Sequence, residues 1–290
     1  MMIDFVPDET LYPFESRWFD SSAGRVHYVD EGFGPPILFC HGSPTWSFLY
    51  RHIVAGLRDR YRCIAVDHLG FGLSERPESF DYRIAEHSTV LGELIDHLQL
   101  DGFVVMGHDW GGGPIGLSAA AERAGRVRGI VLGNTVFWPI EPLANRAFSA
   151  IMSSGPMQRR ILAEPAGGAI SARGGTGRHA HRGGGRPLPP GATDGEIAAR
   201  ACGHAQGNSR RPPAVGPPRP GRTCSAGGAQ AGAGSMGGCG TSFFRPGTCI
   251  PRIRAAFADL DVVELPPRAG HFVQEYAPDE IVSAIARRFP

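Results

Sequence analysis

Three residues have the types and spacing for covalent chemistry: Asp109 in VVMGHDWGGG, Trp110 beside it, and His271 in ELPPRAGHFVQE. The first stretch is an apolar run that ends in Gly107-His108-Asp109-Trp110-Gly111, followed by the helix-like PIGLSAAAERA. Glycines two positions either side of Asp109 permit a sharp strand-to-helix turn that lifts the central side chain above a sheet. A serine at such a turn attacks carbonyl carbon, whereas a carboxylate suits displacement at saturated carbon and is left as an ester. The plainer alternative is a loop Asp that caps the following helix.

His271 follows the strand-like DVVELP and a Pro/Gly loop, and it precedes the amphipathic DEIVSAIARRF. A histidine placed there can deprotonate water for attack on an Asp109 ester, returning the free carboxylate and an alcohol. His27, His52, His87 and His97 fall inside strand or helix patterns and read as core or surface residues. His41-Gly42-Ser43-Pro44 ends another strand, and its loop can supply a backbone N–H that pairs with that of Trp110 around the ester oxygen. The leaving group needs a partner too. A halide favours weakly polar N–H donors, and the Trp110 indole can offer one; its alternative role is core packing.

Those groups need a scaffold, and the chain spells one out. RVHYVDEG, PPILFC, YRCIAVD, GFVVMG and VRGIVLGN read as strands, with helical spacing in TWSFLYRHIVAGLRDR and EHSTVLGELIDHLQL between them. The fold class expected is α/β, with a mostly parallel sheet covered by helices on both faces and its site beyond the strands' C-terminal ends. DHLGFGLSERP, from Asp67 to Pro77, reads as a turn in which Asp67 caps a helix, supporting fold rather than chemistry.

From about Ala163 to Ser242 the texture shifts to Gly, Ala, Arg and Pro. Such a stretch buries too little apolar surface to offset its ordering entropy and is expected to be disordered. It reads either as a flexible insertion or as a wrong-frame translation of GC-rich DNA, which the absence of lysine fits. Read one base earlier, SMGGCGTS permits Val-Tyr-Gly-Arg-Leu-Arg-Asp-Val before the stated frame resumes at Phe243.

The 290 residues suit one catalytic domain, with core expected in 1–138 and 243–290 and a cap in 139–242. A net charge of +1 and only 20% charged residues argue against nucleic acid or anionic membrane as partner and for a small uncharged organic molecule. No stretch approaches the roughly 20 apolar residues of a membrane span, and a cytoplasmic monomer is expected. Six cysteines without C-x-x-C spacing suggest neither zinc nor a disulfide framework, and the chemistry requires no metal or organic cofactor.

HGSPTWSFLYR, DHLGFGLSERP, GHDWGG and AGHFVQE together resemble haloalkane dehalogenases of the α/β-hydrolase superfamily, over residues 10–162 and 243–290. The resemblance implies an α/β-hydrolase fold with a helical cap, hydrolysis of a haloalkane to primary alcohol plus halide, Asp109 as nucleophile and His271 as base. It also implies Trp110 as one halide-stabilising residue. Ser43, where family members commonly carry Asn, becomes the second, offering a hydroxyl. The elbow is one glycine longer than the family pattern, which threatens the start of the next helix. The acid that orients the histidine follows one of two strands in this family; those positions hold Asn134 and Thr241 here, and the alternative frame would place Asp at the latter. The chain as written is therefore expected to have little or no turnover.

Two other functions fit parts of the pattern. An epoxide hydrolase shares the Asp and His but takes tyrosines from its cap, whereas Tyr12, Tyr28, Tyr50, Tyr61 and Tyr82 precede the elbow and Tyr276 follows His271. A non-catalytic remnant, with cap and one strand replaced, is the other.

Overall fold

The structure is a computed structural model and describes residues 6–135, 234–236, 246–266 and 269–290. A six-stranded sheet runs in the order β1-β2-β4-β3-β5-β6, built from β1 (Arg17–Asp20), β2 (Arg25–Glu31), β3 (Pro36–Cys40), β4 (Arg62–Val66), β5 (Phe103–His108) and β6 (Val127–Gly133). The first two pairings, β1 with β2 and β2 with β4, are antiparallel, and the other three are parallel. The mostly parallel sheet expected from the sequence is thus present, with an antiparallel edge.

Alternation along each strand divides the core into two layers. Ile37, Phe39, Cys63, Ala65, Val104 and Met106 face one cluster, shared with α1 (Arg51–Leu57) and α6 (Pro278–Arg288). Leu38, Cys40, Ile64, Val66, Phe103 and Val105 face the other, against α2 (Ile84–His97) and α3 (Ser118–Ala121). Helix α2 buries Val90, Leu91, Leu94 and Ile95 at three-to-four-residue spacing, which is why its sequence reads so clearly. Leu94 is fully buried there, and Leu94→Ala would cost about 2–5 kcal/mol.

Register decides where the site falls. Cys40 pairs with Gly107 across β3 and β5, and His108 pairs with Gly133 across β5 and β6. The three strands therefore end level, and the residues just beyond them, Gly42-Ser43, Asp109 and Asn134, are brought side by side.

A second, two-stranded parallel pair joins β7 (Gly234–Met236) to β8 (Val262–Glu264), with α4 (Pro246–Ala256) between them in the chain. β7 falls within the segment expected to be disordered from residue 163; ladder hydrogen bonds use main-chain groups alone, so small residues do not prevent pairing. The remainder of 163–242, including Thr241, and nearly all of the cap expected at 139–242 lie outside the described residues. Among the described residues no helix is long and apolar enough to cross a membrane.

Candidate active site

Asp109 directly follows β5 and has φ 52, a left-handed conformation costly for a side-chain-bearing residue and a mark of a sharply turned elbow. The helix beyond it opens as a π-helical stretch, Gly111–Leu117, before tightening into α3. One residue too many in a helical turn is accommodated as such a widening. The longer Trp-Gly-Gly-Gly elbow is therefore absorbed within the helix rather than breaking it.

The Asp109 carboxylate is held from two sides. Oδ1 accepts the Ser43 N–H at 3.0 Å, and the Trp110 N–H also donates to the group. Oδ2 lies 3.7 Å from His271 Nε2, too long for a hydrogen bond but a close approach of acid and base. Gly42 makes this possible, since a Cβ on it would collide with Asp109 Cβ. Burial pushes the Asp109 carboxyl above its usual pKa, opposed by His271 and by the Trp110 and Ser43 N–H groups.

His271 sits in the loop before α5 (Val273–Tyr276), and its main chain is clamped. Its carbonyl accepts from Asn134 Nδ2 at 2.8 Å and from His108 Nε2 at 2.9 Å, while Asn134 Nδ2 also reaches the Gly270 carbonyl at 3.0 Å. Burial drives His108 down to about 3, so it is a neutral ring whose Nε2 carries the proton. A further tie comes from Arg51, which grips Glu275 of α5 with both guanidinium nitrogens and lies 3.9 Å over the Phe48 ring. The His271 loop is thus anchored to the helix that follows the Ser43 loop.

Asp109, Ser43 and His271 come together as their sequence positions suggested. Trp110 is half-buried and packs against the α2-side core, so the packing role weighed for it is present alongside its backbone donation. Asp67 departs from the helix-cap reading: its fully buried carboxylate accepts from His27 Nδ1 at 2.9 Å, Ser47 N–H at 2.7 Å and Leu73 N–H at 2.9 Å. It ties three segments together because an unpaired buried charge would be far more costly than this bonded one. His108 and Asn134 were missed as supports, their only signal being their places at the ends of β5 and β6.

A family model for the alpha/beta hydrolase fold matches residues 35–154. Haloalkane dehalogenase 2 of Mycobacterium tuberculosis is 52% identical over 302 aligned positions, covering all of both chains. The chain belongs to the haloalkane dehalogenase family. A haloalkane dehalogenase of Mycolicibacterium paratuberculosis is 40% identical over 132 residues, covering 42% of this chain and 44% of its own. The fold is echoed by the crystal structure of a haloalkane dehalogenase from Bradyrhizobium elkani, with TM-score 0.67 and 18% identity over 95% of this chain and 97% of that one. In the present chain four tyrosine hydroxyls are engaged away from Asp109: Tyr12 with Ser47, Tyr50 with the Cys40 carbonyl, Tyr61 with the Phe289 carbonyl and Tyr82 with the Pro77 carbonyl.

Proposed function

We propose that this protein hydrolyses haloalkanes to a primary alcohol and a halide through a covalent alkyl ester on Asp109. The observation that carries the reading is the two-sided hold on one carboxylate: Oδ1 on the Ser43 N–H at 3.0 Å, and Oδ2 turned to His271 Nε2 at 3.7 Å. Oδ2 attacks the halogen-bearing carbon, the carbon–oxygen bond forms as the carbon–halogen bond breaks, and the halide leaves with the bonding pair. The Trp110 indole and the Ser43 hydroxyl receive it. His271 then takes a proton from water, and the hydroxide attacks Asp109 Cγ. Negative charge gathers on Oδ1 between the Ser43 and Trp110 N–H groups until the alkoxide departs and takes the proton from His271.

The two positions for an orienting acid hold Asn134 and Thr241, neither of which carries charge. Alkylation needs no proton transfer and hydrolysis does, so the second step is the slow one and steady turnover is low. Residues 1–138 and 243–290 form the catalytic core in this reading, 139–242 the cap, and the substrate is a small uncharged organic molecule met by a monomer.

The test measures bromide from 1-bromobutane and diol from styrene oxide with the wild type and Asp109→Asn. Bromide release stoichiometric with enzyme and abolished in the variant supports the reading. Diol without bromide contradicts it and favours the epoxide reaction.

A further inference from the structure

We infer that Thr135 is a positioning residue for the nucleophile, its hydroxyl wedged into the first turn after Asp109. The inference rests on Asp109 being that nucleophile. Thr135 lies two residues beyond β6 and is buried, with 2% of its surface exposed. Its Oγ1 accepts the Gly113 N–H at 2.8 Å and donates to the Asp109 carbonyl at 2.6 Å. Those two main-chain groups are four residues apart and would face each other in a regular α-helical turn. A side chain that enters this ladder widens or bends the helix, and here the stretch that follows is π-helical.

The extra glycine of the elbow fits the same explanation. A Cβ on Gly112 would stand 2.6 Å from Thr135 Oγ1, 2.7 Å from its Cβ and 2.8 Å from its Cγ2. Only a residue without a side chain leaves room for the wedge. Thr135 and Gly112 thus form an interlocking pair, one filling the space the other vacates.

The consequence for chemistry runs through the backbone. Asp109 holds a left-handed conformation at φ 52, and the surroundings must impose it. Neither Ser43 nor Trp110 does so, because both N–H groups bind the side chain. Thr135 binds the Asp109 carbonyl itself, and by joining it to Gly113 it fixes the peptide plane from which the carboxylate projects. A reacting group displaced by a fraction of an ångström loses much of its advantage in an in-line displacement. The hydroxyl therefore serves the rate of alkylation, and substrate affinity is left to other residues.

The experiment is single-turnover alkylation by 1-bromobutane, read as bromide release and as adduct mass per folded protein, in wild type, Thr135→Val, Thr135→Ser and Gly112→Ala. Thr135→Val should lower the saturating rate about tenfold or more without moving the half-saturating concentration, and Thr135→Ser should stay within about twofold of wild type. Where Thr135→Val does not fold, Gly112→Ala carries the test: it keeps the hydroxyl but displaces it, and should also slow alkylation. An unchanged rate in the variant that carries the test, or an equal fall in Thr135→Val and Thr135→Ser, overturns the role of Thr135. A wild type that forms no adduct overturns the Asp109 reading instead, and the inference with it.

Discussion

Asn134 Nδ2 donates to the carbonyl of His271 at 2.8 Å and to that of Gly270 at 3.0 Å, so the residue after β6 secures His271 by its main chain. A carboxylate at this position would set negative oxygens against those two carbonyls, whereas the amide bonds to both. The position that could have held the orienting acid has become a clamp on the loop.

Asn134→Ala should therefore cost about 1 kcal/mol of stability, because the Gly270 carbonyl loses its side-chain donor while the His271 carbonyl keeps His108. It should slow ester hydrolysis while leaving alkylation nearly unchanged, because in the proposed reaction only hydrolysis uses His271. Denaturant unfolding and rapid-quench bromide release measure the two effects. Equal slowing of both steps would show that Asn134 acts on the nucleophile as well.

Burial raises the Asp109 carboxyl pKa, so the fold favours its protonated form. This contribution to stability is fully present below the ordinary carboxylate pKa of about 4 and is lost as pH rises through the raised folded value. At neutral pH the charge is a burden on the fold, and Asp109→Asn should melt higher than wild type there, with the gap closing in acid. Alkylation should fall as pH drops through the raised value, since only the carboxylate attacks. A lower melting temperature for Asp109→Asn at pH 7 would contradict this.

A further pH effect comes from buried histidines. His41, His68 and His87 pack ring against ring, with centroids 4.6 and 5.7 Å apart, and burial lowers all three, His87 to about 3. His108 is likewise held to about 3. The unfolded chain binds these protons near 6.5 and the folded chain does not. Stability should thus hold above pH 6.5 and fall below it, for His87 and His108 down to about pH 3 and by on the order of 1 kcal/mol per pH unit each. Unfolding curves at pH 7 and pH 5 test this, and His87→Phe should flatten the dependence; an equally steep fall in that variant would exclude His87 as a source.

Much of this was legible before the fold. The strands ending in Cys40, Val66, His108 and Gly133 are short apolar runs bounded by polar or Gly-rich turns, and such runs must be buried on both faces. The meeting of Asp109, Ser43 and His271 was legible because the first two follow strand ends and His271 lies in the loop after β8. β1 escaped notice since RWFD exposes Arg17 and Asp20 and buries little, while the interior Pro251 obscures α4. His108, Asn134 and Thr135 were not visible as supports. Their work is done through main-chain carbonyls of residues distant in sequence, and no local pattern records such a partner.

The decisive measurement is intact-protein mass after mixing His271→Phe with 1-bromobutane, followed by peptide mapping. Without the base the ester should persist, so the mass should rise by one butyl group, located on the peptide that carries Asp109, while Asp109→Asn gains nothing. Bromide release without any adduct, or an adduct on another residue, would contradict Asp109 as the nucleophile.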